Sequence, residues 1–456
     1  MSTTTATPIE GLPPGPSLPR ALQTAGFILR GPSYLKKLQA EHGDVFTMRI
    51  TGEGRWVILA DPAHIKQVFT GSPDVFHAGK GNQVLLPLLG DHSVLLLDGP
   101  EHLRQRRLLL PPFHGQRMTA YGELMDEITA EEVARWPVGE DFASWPRMQH
   151  ITLEVIMRAV FGVEQGPQLD RVRTALNRLL DEVMRPTTMA VLSAIGPHRF
   201  RELAIVKREL ARADAEIYPV IRERRAAPDL EDRQDILSLL LQARHEDGRP
   251  MSDEELRDEL MTLLVAGHET TATTLGWAVE RLTRHPDALA RATAEVREQG
   301  ADGPFLDGVV KETLRLRPVL SVVVRQLQED AEVAGYRLPA GTRVVPCIQL
   351  AHRRPDVYPD PDAFRPERWL DQQPGTYSWL PFGGGVRRCL GASFALFEAK
   401  RVLAGILGQV DLAPAARDGE QVRRRAITQT PQHGARITVA ARHDRRPVQE
   451  PVAVPA

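Results

Sequence analysis

Apolar residues recur at three-to-four spacing over most of this chain, and strict alternation is confined to short segments. Between Asp44 and Leu59 the order FTMRI, TGEGR, WVIL predicts two strands around a turn, before a helix opened by Asp61 and Pro62. Residues 124–136, 148–161, 169–184, 199–225 and 236–243 each place apolar side chains on one helical face, with Pro and Gly breaks between them. Strand patterns return at 343–347 and 437–440. With no internal repeat, this order predicts a mostly α fold with small β-sheets.

The longest helical pattern runs from 252 to 284, which at 1.5 Å per residue spans about 50 Å and needs a large domain around it. Ser252 and Glu255 form a capping box, and Leu256, Leu260, Leu263, Leu264 and Gly267 share one face. The polar cluster AGHETT, Ala266 to Thr271, interrupts that face. Its glycine alone costs the helix roughly 1 kcal/mol relative to alanine. Taken by itself the segment reads as a kink or a helix–helix contact, its hydroxyls bonded to carbonyls one turn back.

Composition narrows the class. The chain has 456 residues, 42% hydrophobic and 25% charged, enough for a large buried core. Its 57 basic and 59 acidic side chains give no global attraction to nucleic acid or anionic membrane, so no nucleic-acid partner is expected. No apolar run approaches the roughly 18 to 20 residues of a membrane span, and the N-terminus does not read as a signal peptide. Residues 1–14 are expected to be a flexible lead-in, 15–442 one domain, and 443–456 a disordered tail. Cys347 and Cys389 cannot build a disulfide framework, which points to a reducing cytoplasm.

One of those cysteines lies in FGGGVRRCLG, residues 382–391. Leu390, Phe394, Phe397, Leu403, Ile406 and Leu407 predict a helix beginning at Cys389, which places the sulfur at a positive helix end beside Arg387 and Arg388. These influences lower a thiol pKa and prepare a nucleophile or a metal ligand. No C-x-x-C pair supports structural zinc, and the glycine run lacks the G-K-[ST] of a phosphate loop. A nucleophile with an unplaced histidine, or a single axial thiolate to haem iron, remains.

The same ten residues resemble the cysteine loop F-x-x-G-x-R-x-C-x-G of the cytochrome P-450 superfamily at every fixed position. The resemblance implies that Cys389 is the axial metal ligand, flanked by Phe382, Gly385, Arg387 and Gly391 around haem b, iron protoporphyrin IX. Arg387 then resembles an arginine that pairs with a haem propionate. Further similarities follow in family order from about residue 40 to 440. Glu312 and Arg315 are similar to E-x-x-R, completed by Arg368 in FRPERW; DGPEHLRQRR is similar to the helix across the haem, implying propionate contacts for His102 and Arg106. Arg325 resembles another such partner. AGHETT is similar to A-G-x-[DE]-T-T, which implies that Glu269 and Thr270 form a proton-delivering acid–alcohol pair at a local widening of the helix; His268 occupies the variable position and has no assigned role. The implied fold holds the haem between the long central helix and the cysteine-loop helix.

The family function implied is that of a soluble, bacterial-type monooxygenase, with dioxygen as co-substrate. Electrons are expected from a nicotinamide cofactor through a reductase and a ferredoxin or flavodoxin, docked near Arg104, Arg107, Arg388 and Lys400. The alternatives are a peroxygenase driven by hydrogen peroxide, which does without the acid–alcohol pair, and a non-catalytic haem sensor or electron carrier. A monomer is expected. Aliphatic segments at 83–97 and 319–324, with 263–266 and 428–434, are expected to line a pocket for a fatty acyl, terpenoid, steroid or polyketide substrate.

Overall fold

A computed structural model of the chain describes residues 9–113, 117–162, 166–371, 373–416 and 418–443. Its main elements in chain order begin with α1 (Arg20–His42), the hairpin β1 (Val45–Ile50) and β2 (Gly54–Leu59), α2 (Pro62–Thr70), β3 (Phe76–His77) and α3 (Gly99–Leu109). Then come α4 (Arg117–Val133), β4 (Asp141–Ala143), α5 (Trp145–Phe161), α6 (Pro167–Met184), α7 (Ala204–Arg225), α8 (Ile236–Gln242) and the central α9 (Asp253–Thr283). The chain continues through α10 (Pro286–Gln299), α11 (Pro304–Leu316), β5 (Arg325–Leu327), β6 (Arg343–Pro346) and α12 (Ala392–Leu407). It ends in β7 (Val410–Pro414), β8 (Val422–Arg425), β9 (Thr428–Pro431) and β10 (Arg436–Arg442).

The local signals explain the starts of the helices. Asp61 accepts the Ala63 N–H (2.7 Å) with Pro62 at the first helical position of α2. At α9 the Ser252 hydroxyl accepts from Glu255 N–H (3.1 Å) while the Glu255 carboxylate accepts from Ser252 N–H (2.7 Å), completing the expected box. Leu256, Leu260, Leu263 and Leu264 are buried, and α9 packs on α5, α7, α8, α11 and α12. A helix covered on so many sides organises the main core.

The sheets are small, as expected. Five strands run in the order β1, β2, β6, β5, β3, with only β2 and β6 parallel. β7, β10 and β4 make an antiparallel sheet, and β8 with β9 a separate hairpin.

Several expectations are corrected. The helix expected over 199–225 is two, Pro197–Arg201 and α7, because Leu203 is extended (φ −63°, ψ 134°). Residues 9–14, expected to be flexible, are tied down: Ile9–Glu10 pairs in parallel with 336–337, and Pro14 C=O accepts from Thr47 N–H (2.9 Å). Residues 444–456 of the expected tail lie outside the described residues. The central helix keeps one helix type from Asp253 to Thr283, so the kink and the local widening expected at AGHETT are absent. Gly267 instead allows α5 close: a Cβ there would lie 3.2 Å from Ile156 Cδ1. Finally, α12 starts at Ala392 rather than at Cys389, with Gly391 as its N-cap.

Candidate haem-thiolate site

The cysteine loop is built by turns. Cys389 N–H donates to Phe382 C=O (3.0 Å) and Arg388 N–H to Gly385 C=O (3.1 Å), closing the loop on itself. Gly385 has φ +65°, and a Cβ there would sit 2.0 Å from the Phe69 carbonyl oxygen, so only glycine fits. Phe382 stands edge-on to Trp379 (centroids 6.1 Å apart). Gly391 has an ordinary φ of −86° and open space around it; its contribution is a backbone N–H directed at the Cys389 sulfur.

Cys389 is accessible, whereas Cys347 is fully buried. The expected depression of the Cys389 thiol is not found. Surrounding protein raises its pKa, against the Gly391 N–H, Arg106 and Arg388. Two of the expected acidifying influences are displaced: the helix begins three residues later, and Arg387 turns elsewhere. Arg387 donates to Val94 C=O (3.1 Å), to Leu97 C=O and to Asp98 Oδ1 (2.6 Å). Burial pushes the Cys347 thiol up to about 12, which suits an inert core residue.

His102, Arg106, Arg325 and Arg387 converge. Burial drives the His102 pKa down to about 3, helped by Arg387, Arg106 and Arg325, so its imidazole is neutral. Arg325 is buried, donates to Val324 C=O (2.9 Å) and stands 5.6 Å from the Phe69 ring centroid. Its pKa falls to about 10 through burial and then Arg387, with Asp98 opposing. Asp98 is already engaged by Arg387 and by the Gly79 and Lys80 N–H groups (2.8 and 3.0 Å). Three guanidiniums around one committed carboxylate suit an anionic ligand, and the accessible sulfur beside Arg106 suits a metal. The residues therefore fit a haem with two carboxylates.

Ala266 is exposed midway along α9, between the buried stretches 256–264 and 271–280, and Val265, Gly267 and Thr270 are partly accessible. Leu95, Leu97 and residues 322–324 are partly accessible as well, and they belong to the segments that the sequence expects to line an interior chamber. Thr270 Oγ1 donates to Ala266 C=O (2.6 Å). The buried Glu269 turns toward the β8–β9 hairpin, accepting from Thr428 Oγ1 (3.0 Å) with Arg425 Nε at 3.9 Å. Acid and alcohol are thus neighbours with separate partners. The sequence places Thr428 in an expected pocket segment but links neither it nor Arg425 to Glu269, because the hairpin reaches α9 only through tertiary packing. His268 is buried, and its pKa drops to about 4 through burial and then Arg425.

The E-x-x-R cluster is assembled as expected and is larger than expected. Arg315 Nε and Nη2 hold both Glu312 oxygens (2.8 Å each), and Arg368 Nε adds a third bond (3.0 Å). Trp369 Nε1 (3.0 Å) and Arg365 N–H (2.9 Å) complete the shell. Burial acts to raise Glu312, but the Arg315 bonds and charge outweigh it and hold the carboxyl below the usual range. His352 was missed: its Nε2 accepts Leu380 N–H (2.7 Å) while Nδ1 faces Arg315 C=O (3.2 Å), so it is a neutral bridge.

On the outer face, Arg104 and Arg388 are exposed, whereas Arg107 pairs with Glu246 and Lys400 with Asp307 (3.7 Å). Among the described residues no helix is long and apolar enough to cross a membrane.

An accessible cysteine on a glycine loop, beside Arg106 and Arg388 and close to the convergent cluster that Arg106 belongs to, fits a haem-thiolate class of protein. The sequence profile described as "Cytochrome P450" matches residues 12–435. The chain is 46% identical over 438 residues to a Mycobacterium tuberculosis protein described as cytochrome P450 135B1, covering 95% of this chain and 92% of that one. It is 38% identical to cytochrome P450 138 of the same organism, covering 96% and 98%. Among solved structures, the retinoic acid-bound cyanobacterial CYP120A1 superposes with a TM-score of 0.81 at 26% identity, covering 95% and 99%. The cytochrome P450DA heme domain gives 0.82 at 25%, covering 97% and 99%. The chain belongs to the cytochrome P450 family and is a monooxygenase of that family.

Proposed function

We propose that this enzyme inserts one atom of dioxygen into an apolar small molecule and reduces the other to water, with electrons relayed from a nicotinamide cofactor by a reductase and a ferredoxin or flavodoxin. The observation that carries this reading is the accessible Cys389 beside the convergent cluster of Arg106, Arg325, Arg387 and His102. When bound through Cys389, haem b supplies the metal at which dioxygen is reduced. Arg106, Arg325 and His102 would hold its carboxylates, and Arg387, fixed by Asp98, would add positive field.

Thr270 presents a hydroxyl on the chamber side of α9 and passes protons inward. Glu269 resupplies it from the β8–β9 turn, where Arg425 is partly exposed and also lies 3.9 Å from the surface Asp181. Aliphatic positions at Leu95, Leu97 and 322–324 exclude water and favour fatty acyl, terpenoid, steroid or polyketide substrates. The retinoic acid held by the cyanobacterial relative is an extended apolar molecule of that kind. Arg104 and Arg388 offer an exposed basic face to an acidic electron donor.

Cys389→Ala tests the reading. The reduced, haem-loaded wild type under carbon monoxide should show the strongly red-shifted Soret band of a thiolate complex. Cys389→Ala should lose it and Cys347→Ala should keep it; an unchanged band in Cys389→Ala would sink the assignment. Reductant and dioxygen consumption that rises with an apolar compound and yields oxygenated product separates monooxygenase from electron carrier. Turnover by hydrogen peroxide alone would indicate a peroxygenase.

A further inference from the structure

Residues 91–98 cross from the tip of the helical turn Leu86–Leu89 to α3 and form a strap with partly accessible leucines at 95 and 97. The strap has almost no secondary structure of its own, so its position depends on what grips it. Its first half is bonded to α9. Asp258 accepts from His92 N–H (2.9 Å) and faces its Nδ1 (3.1 Å), the Ser93 and Thr262 hydroxyls lie 2.7 Å apart, and Glu259 Oε1 accepts from Val94 N–H (2.9 Å). Its second half is bonded to the cysteine loop, through Arg387 on Val94 C=O, Leu97 C=O and Asp98. Val94 is therefore held from both sides, its N–H by the central helix and its C=O by the cysteine loop.

We propose that Glu259 is a positioning residue that latches this strap over the interior chamber, setting how readily the chamber opens to an incoming apolar molecule. That the chamber is the substrate space rests on the function proposed above. Three observations single out Glu259 from its neighbours. It is fully buried, whereas His92 is exposed, so water does not compete for its bond. Its second oxygen, Oε2, is buried, is offered no charged donor, and has only the neutral Gln105 side chain near the carboxyl, outside good hydrogen-bond geometry, which suits a carboxyl group better than a carboxylate. Asp258, which takes the more exposed contact, is already neutralised by Arg257 (3.0 Å), itself anchored on Asp214 (2.6 Å).

The protonation state follows from the surroundings. Burial pushes Glu259 up to about 8; the Gln105 side chain and Val94 N–H oppose this, and Asp258 and Glu255 on its own helix reinforce it. The charged groups acting on it are thus both carboxylates, and α3 offers only the neutral Gln105. With its pKa raised from the usual carboxylate value, Glu259 stays protonated in the folded protein after it would have ionised in the unfolded chain. The latch is therefore at full strength below the ordinary carboxylate range and is lost progressively as the pH rises from there through about 8, where a second negative charge beside Asp258, buried and unpaired, loosens the strap.

The experiment uses the haem-loaded protein and reads hydrogen–deuterium protection of 91–98, corrected for base-catalysed exchange, with 4-phenylimidazole association followed by the Soret shift. Glu259→Leu should lower strap protection at least tenfold while leaving α5 unchanged, and should speed association several-fold. Glu259→Gln, which keeps an acceptor for Val94 N–H, should match the wild type at pH 7. Raising the pH through 8 should loosen the strap of the wild type and leave Glu259→Gln flat. Unchanged protection in Glu259→Leu, or identical pH profiles in the wild type and Glu259→Gln, overturns the latch; the second comparison stands even where Glu259→Leu fails to fold. A protein that gives no Soret response to 4-phenylimidazole in any form speaks against the haem reading, while strap protection still decides the latch.

Discussion

Thr270 and Thr271 are adjacent on α9, about 100° apart round the helix, and the structure gives them different surroundings. Thr270 is partly accessible and bonds back to Ala266 C=O; Thr271 is buried beside the buried Glu398, whose carboxyl is pushed up to about 8 by burial with the Thr271 hydroxyl opposing. A hydroxyl that serves proton delivery should be dispensable for binding and needed for coupling. Thr270→Ala should retain haem and substrate, keep consuming reductant, release hydrogen peroxide and lose product by roughly 10- to 100-fold, toward the low end of general acid–base contributions. Thr271→Ala should keep its coupling and lose some stability, because Glu398 is left without that partner. Product and peroxide per reductant, measured for both, decide it; undiminished product in Thr270→Ala removes that residue from the mechanism.

At the scale of elements, the polar interruption in α9 is read correctly as a helix contact and wrongly as a bend. Gly267 lies against Ile156 and Gly276 against Trp145, where a Cβ would meet Cδ1 at 3.2 Å in each case, so two glycines let α5 lie close along α9. Gly267→Ala should be nearly neutral, since about 1 kcal/mol of helix propensity offsets a contact that yields by a few tenths of an ångström. Gly267→Leu should destabilise by about 1 to 3 kcal/mol through overpacking, visible as a lower thermal midpoint by circular dichroism. Equal midpoints for the two would mean that α5 can move away freely.

For the whole molecule, the Glu312 cluster joins elements far apart in the chain. Arg315 also donates to the carbonyls of His352 (2.9 Å), Pro361 (2.7 Å) and Ala363 (3.0 Å), so α11 clasps the meandering segment that leads into the cysteine loop. Removing one member of a buried ion pair costs about 3 to 5 kcal/mol, because the partner stays charged and buried. Glu312→Ala should accordingly yield little soluble haem-loaded protein, while Glu312→Gln, which keeps an acceptor oxygen, falls between it and the wild type. Normal haem content and melting in Glu312→Ala would show that the clasp is dispensable.

Local chemistry in the chain determined the helical class, the capping box at Ser252, the β1–β2 hairpin and the loop that carries Cys389, because periodicity, caps and turn residues act over a few positions. It also marked Glu312, Arg315 and Arg368 through their motifs. Tertiary structure alone decided the rest. No breaker separates Arg201 from Ala204; the chain bends there because Phe200, Leu192 and Val206 bury together in a cluster of their own. Arg387 is committed to Asp98, Glu269 to Thr428, and Val94 to both Glu259 and Arg387, through contacts between residues more than 150 positions apart. Such partners leave no periodic or spacing signal in a single sequence, since what selects them is the desolvation cost of a buried charge or N–H, and that cost exists only after the chain has folded around it.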